Sequence, residues 1–213
     1  EETNTQYPAA MLHGADAAAD NRIGGGRADG YHTIPKYDVS IDVYNRTSDI
    51  SIKDSRSYYI YSSVPDKLRD TWAWDKKIFI KGDKTAPHVF IDGVNIEMSP
   101  SSKGPAIELN KKASAYIYFI GKNSSLQGAD GRAAIQKNRS EGQLYVLART
   151  GTTVTCKGGD KAAGIGGSYA TRNISNGYYN GDMYGHGVNM HFGSQSNPDY
   201  WGGTIAAIGG NGG

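Results

Sequence analysis

The sequence predicts an all-β fold: a parallel β-helix, a single-stranded solenoid with long loop insertions and a poorly patterned N-terminal cap. Three observations carry this. First, a short apolar unit recurs as Gly104-Pro-Ala-Ile-Glu-Leu109, Gly131-Arg-Ala-Ala-Ile-Gln136 and Lys161-Ala-Ala-Gly-Ile-Gly-Gly167, placing Ile107, Ile135 and Ile165 28 and 30 residues apart. A period in roughly the 20–50 residue range marks repeat architectures, in which each unit buries its apolar face only against its neighbours. Second, apolar residues alternate with polar ones, as in Val39, Ile41 and Val43 and again in Ile50 and Ile52. That is the signature of half-buried strands. Third, the 213 residues include 29 Gly and 15 Tyr; Gly supplies turns with positive φ, and Tyr suits a pleated surface with one wet side.

Residues 1–36 form the N-terminal cap or extension. Ala9 to Ala19 would make a short helix, and Arg22-Ile-Gly-Gly-Gly26 is a stray copy of the repeat signature. The β-helix occupies 37–213, with insertions expected at 64–76, 168–187 and 193–203. After the two alternating strands come Tyr58–Tyr61 and Ile78–Ile80, separated by a polar excursion that carries Trp72 and Trp74. Val89–Ile91, Val94–Met98 and Ile107–Leu109 make one circuit, turned by Gly93 and by Pro100-Ser-Ser-Lys-Gly104. Ala115–Phe119 and Ala134-Ile135 belong to the next circuit. Leu144–Val146, Val154–Cys156 and Ile165 make the third. Three strands per circuit, each paired with its equivalent above and below, leave strand edges only at the two ends.

A fourth circuit is stretched. Val188, Met190 and Phe192 match the Leu144 strand, and Thr204-Ile-Ala-Ala-Ile208 matches Thr153-Val-Thr-Cys-Lys157 at a spacing of 51. The extra residues fall in the last two insertions. This circuit looks unfinished, which admits head-to-tail self-association into a filament as one reading of the ends.

The succession Ile78-Phe-Ile-Lys-Gly82, His88-Val-Phe-Ile-Asp-Gly-Val-Asn-Ile96, Pro105-Ala-Ile107, Gly121-Lys-Asn123, Ala133-Ala-Ile-Gln136, Leu144-Tyr-Val146 and Gly158–Gly167 resembles the right-handed β-helix repeats of bacterial cell-surface proteins. Many of these are adhesin-like or described as carrying carbohydrate-binding domains. The resemblance covers about residues 37–167 and, more loosely, 188–213. It implies a secreted or cell-surface setting and a scaffold rather than a catalytic site. Cys156 and the aromatic insertions depart from the pattern.

Seven aromatics on the insertions are the candidate ligand-binding residues: Trp72, Trp74, Tyr178, Tyr179, Tyr184, Tyr200 and Trp201. Exposed indole and phenol rings match the apolar C–H faces of sugars, and Asp70, Asp75, Asp182 and Asp199 stand nearby to accept hydroxyl hydrogen bonds. The competing reading makes the same rings small satellite cores that pin long loops to the solenoid; a surface-protein contact is a third. A polysaccharide lyase or glycoside hydrolase on the same scaffold would need converging carboxylates, and the strand acids Asp92, Glu97 and Glu108 do not repeat on one face. No catalytic residue is assigned. His186 and His191 flank no organised metal motif, and Cys156 alternates with Val154 as an inward filler, so no metal or cofactor is assigned either. Sequons stand at Asn45, Asn123, Asn138 and Asn173.

A net charge of +2, from 23 basic and 21 acidic residues, lacks the basic footprint of a nucleic-acid binder. No apolar run is long enough to span a bilayer as a helix, and the start at Glu1 reads as a mature form whose signal has been removed. Partners are therefore a glycan or a surface protein, with no membrane insertion. Replacing Ile107, Ile135 or Ile165 by Asp should be severely destabilising. An unpaired buried charge costs several kcal/mol, against a total margin of roughly 5–15 kcal/mol. The same change at outward Tyr116 or Tyr145 should be mild. Urea unfolding midpoints decide, and equal losses at the two sets would reverse the assigned facing.

Overall fold

The computed structural model describes residues 36–102, 104–137, 139–167, 187–194 and 200–211. Its strands follow one another in circuits. Strands β1 (Val39–Asp42) and β2 (Ile50–Ile52) make the first, and β3 (Ser57–Tyr61) and β4 (Ile78–Lys81) the second. Next come β5 (His88–Asp92), β6 (Asn95–Glu97) and β7 (Ile107–Asn110), then β8 (Ala115–Ile120), β9 (Ser124–Gln127) and β10 (Ile135–Lys137). Strands β11 (Leu144–Ala148), β12 (Thr153–Lys157) and β13 (Ile165–Gly166) follow, and β14 (Met190–Phe192) and β15 (Thr204–Ile208) close the series. The three circuits from β5 to β13 each visit three sheets in turn, and the circuits at either end contribute strands to two of them. The first sheet is β1-β3-β5-β8-β11-β14, the second β6-β9-β12-β15, and the third β2-β4-β7-β10-β13. Every pairing within them is parallel. The chain is a parallel β-solenoid.

The register reproduces the spacing argument residue by residue. Ile50, Ile78, Ile107, Ile135 and Ile165 form one column. Thr153 lies opposite Thr204, and Leu144 and Val146 lie opposite Met190 and Phe192. Inward residues of all three sheets meet in one continuous core. Ile107 and Ile135 are fully buried, whereas Ile165, near the end of the stack, is only partly so. Cys156 points inward as expected, and burial pushes its thiol up to about 12.

The second sheet's inward column tapers from Trp74, which bridges to Ile96, through Leu126 and Cys156 to Ala207. A different exception sits in the third sheet. The column Ile52, Ile80, Leu109 continues into Lys137, whose side chain is buried. Its Nζ donates to the carbonyls of Arg139 at 2.5 Å and Ser140 at 2.9 Å, and burial lowers its pKa. A buried ammonium is tolerable only with such partners.

Corners are stitched from one circuit to the next by short polar side chains. Asp49 accepts the backbone N–H of Lys77, Asp92 that of Lys122, Asn95 that of Ser125, Asn123 that of Thr153, and the Ser114 hydroxyl that of Gln143, all at 2.8–3.1 Å. These satisfy donors where the chain bends off the sheet ladder. The corner between the second and third sheets is tighter still. A Cβ on Gly159 would lie 1.9 Å from the Ala129 carbonyl oxygen, and one on Gly210 would lie 1.8 Å from that of Gly159. The paired glycines of the repeat are there because two backbones touch.

The first sheet is apolar on its outer face as well. Rings stack up one outward row, His88 on Tyr116 at 4.5 Å, Tyr116 on Tyr145 at 4.7 Å, and Tyr145 on His191 at 4.5 Å. The neighbouring row builds a second cluster from Tyr59, Phe90, Tyr118, Ile120, Leu147 and Trp201. Tyr116 and Tyr145 therefore face outward, as assigned, but are half-buried between rings rather than fully wet. The cap expected over 1–36 lies outside the described residues apart from Lys36, as does the insertion 168–187 apart from Gly187.

Burial pulls the His88 imidazole down to about 4, and its Nδ1 lies 3.5 Å from the Tyr118 hydroxyl. The unfolded chain protonates this group near pH 6.5, the folded chain only near 4. Its full contribution is thus present above pH 6.5 and is lost as pH falls from there toward 4. The gap is worth about 3 kcal/mol. Urea unfolding at pH 7 and pH 4 should show acid destabilisation that shrinks in His88→Phe. An undiminished acid loss in the variant would assign it to other groups.

Candidate functional site

An open groove of ≈ 860 Å³ crosses the corner between the first and second sheets and runs onto the outward face of the second. Its floor is two adjacent runs of chain, Gly121 to Ser125 and Thr150 to Thr155, and its wall is the loop carrying Asp66, Arg69 and Asp70. Strand alternation explains the floor. Asn95 and Ser125 flank inward Ile96 and Leu126, and Thr153 and Thr155 flank Val154. Asn95, Ser125 and Thr155 consequently stand in one outward column, with neighbouring strands about 4.8 Å apart.

The wall loop starts from Pro65 with a single 3-10 turn, Asp66–Leu68. The Leu68 N–H donates to the Pro65 carbonyl at 2.8 Å, and the Trp72 N–H donates to that of Leu68 at 2.8 Å. Three contacts hold the loop against the solenoid. The Asn95 amide donates to the Arg69 carbonyl at 3.0 Å, the Arg69 guanidinium donates to the Gly93 carbonyl at 3.3 Å, and Lys122 reaches Asp66 at 3.0 Å. Asp66 also lies 3.4 Å from Arg69. The hydrogen bond from Lys122, then the charges of Lys122 and Arg69, hold its carboxyl below the usual range. Its side chain is 85 % exposed, so these pairs orient the loop more than they stabilise the fold.

The floor has hydrogen-bonding capacity to spare. The hydroxyls of Ser125, Thr153 and Thr155 and the amide nitrogen of Asn123 have no partner among the described residues. Short hydroxyl and amide side chains both donate and accept, the chemistry that complements a polyhydroxylated ligand.

The aromatic candidates lie elsewhere. Trp74 is 2 % exposed, and its Nε1 donates to the Arg46 carbonyl at 2.8 Å. The loop rejoins the second sheet at this residue, so the ring goes inward under Ile96 instead of facing water. Trp201 is 3 % exposed, 5.3 Å from the Tyr118 ring and 4.7 Å edge-on from Tyr200. Tyr200 is half-buried beneath the Arg149 guanidinium at 4.9 Å, and its hydroxyl accepts from the same group. For Tyr200 and Trp201 the satellite-core alternative describes the packing. Trp72 is half-buried and meets Tyr44 edge-on at 5.4 Å. Tyr178, Tyr179 and Tyr184 lie outside the described residues, as do Asp182, His186 and Asp199.

The strand acids are engaged or dispersed. Asp92 accepts the Tyr59 hydroxyl at 2.9 Å and the Lys122 N–H at 3.0 Å, Glu108 pairs with Lys77 at 2.5 Å, and Glu97 is exposed. Asp75 pairs with Lys76, and Asp70 is exposed on the groove wall. His191 stacks on Tyr145, and its Nε2 lies 2.8 Å from Gln143 Oε1. Among the described residues, no three His, Cys, Asp or Glu side chains come together to hold a metal, and no helix is long and apolar enough to cross a membrane.

The groove was not singled out from sequence, although a signal was present: Asn95, Ser125 and Thr155 recur at intervals of 30 residues. No family model, curated protein or solved structure matches the chain. The solenoid therefore rests on strand pairing and repeat spacing, with no relative to lend it a function.

Trp201→Ala should cost about 3–5 kcal/mol, the range for emptying a buried aromatic site, and Trp72→Ala distinctly less. Chemical denaturation of both variants checks this. A Trp201→Ala protein as stable as the parent would mean that the ring does not hold the outer cluster together.

Proposed function

We propose that the chain is a non-catalytic, extracellular structural or adhesive module that binds a glycan in the groove on its second sheet. The observation that carries this reading is the set of unspent hydroxyl and amide groups of Asn123, Ser125, Thr153 and Thr155 on one concave floor. Their outward placement costs the core nothing, because inward and outward positions alternate. The resemblance of residues 37–167 to bacterial cell-surface repeats supports the same setting. Recognition here works by hydrogen bonding, since Trp74 and Trp201 are committed to packing.

Each such hydrogen bond nets only about 0.5–1.5 kcal/mol against water. A single groove accordingly binds weakly, and useful adhesion comes from presenting many copies together. Titration calorimetry with a panel of neutral and acidic polysaccharides tests the proposal on the parent and on the triple variant Ser125→Ala, Thr153→Val, Thr155→Val. These replacements remove hydroxyls while keeping the strand shape. The expected result is about a tenfold or greater loss of affinity with an unchanged unfolding midpoint. Equal binding by the variant, or no binding by the parent, refutes the proposal. Turnover of any polysaccharide would move the chain to the lyase or hydrolase class.

A further inference from the structure

We infer that the groove takes a short oligosaccharide segment lying parallel to the strands, rather than a polymer threaded along the solenoid axis. This rests on the glycan reading above and specifies how the ligand lies. The lining is two consecutive runs, Gly121 to Ser125 and Thr150 to Thr155, side by side on successive circuits. Such a floor is about 16 Å long in the chain direction but only about 10 Å wide across two circuits. Its long dimension therefore follows the strands.

The axial direction is closed on one side. The outward column Asn95, Ser125, Thr155 would be the natural track for an axial polymer. At Asn95 that track runs into the wall loop, because the Asn95 amide is already bonded to the Arg69 carbonyl and the Arg69 guanidinium to Gly93. Lys122 draws the same loop onto the next circuit through Asp66. On the other side the floor stops at Thr155, and no residue of β15 contributes to it.

One mouth of this transverse channel is the Gly151 corner. The equivalent glycine one circuit earlier, Gly121, is filled in: a Cβ there would lie 2.3 Å from Asp92 Oδ1. Among the described residues, a Cβ on Gly151 would meet nothing within 4 Å, and its φ of 84° is in the left-handed region. Asn tolerates that backbone, so Gly151→Asn places a side chain into ligand space without displacing any described residue. Ser125→Tyr puts a ring at the far end of the floor, where an exposed strand position suits an aromatic residue.

The experiment is a length series of one homologous oligosaccharide whose polymer binds the parent, run by calorimetry on the parent and both variants with unfolding midpoints in parallel. Affinity per molecule should rise from monosaccharide to tri- or tetrasaccharide and then level off. Gly151→Asn and Ser125→Tyr should each weaken binding about tenfold or more while the midpoint stays put. Should Gly151→Asn unfold more readily, Ser125→Tyr carries the steric test alone. Affinity that keeps climbing with chain length, or full binding by a folded blocked variant, overturns the transverse placement and leaves the glycan reading intact. A parent that binds no sugar at all defeats the glycan reading itself.

Discussion

Everything in this molecule depends on the vertical register between circuits. A single circuit has too little apolar surface to hold itself together. It is stable only because Ile50, Ile78, Ile107, Ile135 and Ile165 fall one above another, as do the columns of the other two sheets. In parallel pairing the same register satisfies each strand's backbone from both sides. A slip by one residue would turn every inward side chain out. Lys137 shows how strict the column is: a lysine occupies an inward position, and the next turn of chain bends back to offer it two carbonyl oxygens. The charge is accommodated without breaking the stack.

Spacing and alternation made the fold legible because both are local consequences of that register. Thr153 opposite Thr204 could be read across an interval of 51 residues, and Cys156 could be placed indoors from its alternation with Val154. Alternation, however, says only which side of a sheet a residue takes. It does not say whether the outer side is wet. Tyr118 alternates with Ile117 and Phe119 as an outward residue should, yet it is fully buried because Trp201 returns from a distant insertion to cover it. Trp74 misled in the same direction: a tryptophan in a polar stretch looks exposed until the chain is seen to rejoin the second sheet there.

The groove was hard to see for a related reason. Polar residues at outward positions are what any solvated strand shows, so the recurrence of Asn95, Ser125 and Thr155 carries little information until a wall stands beside it. That wall, residues 66–70, is irregular chain whose placement comes from individual hydrogen bonds to Gly93, Asn95 and Lys122. No periodicity announces such bonds. A regular scaffold with irregular attachments is thus read from sequence in its scaffold first.

The three corners of the solenoid differ in what they permit. Between the second and third sheets, Gly128, Gly158, Gly159 and Gly210 bring backbone against backbone with no room for even a methyl group. At the two corners beside the first sheet the chain departs more freely, with long connections after β3 and β14 on one side and after β13 on the other. Changes of length therefore fall beside the first sheet: lengthening or exchanging a connection there leaves the coil undisturbed, whereas a single added carbon at the corner between the second and third sheets jams it. A lineage of such proteins can vary its loops at those permissive corners without rebuilding the coil, and a designer grafting foreign peptides onto this frame has the same places to start.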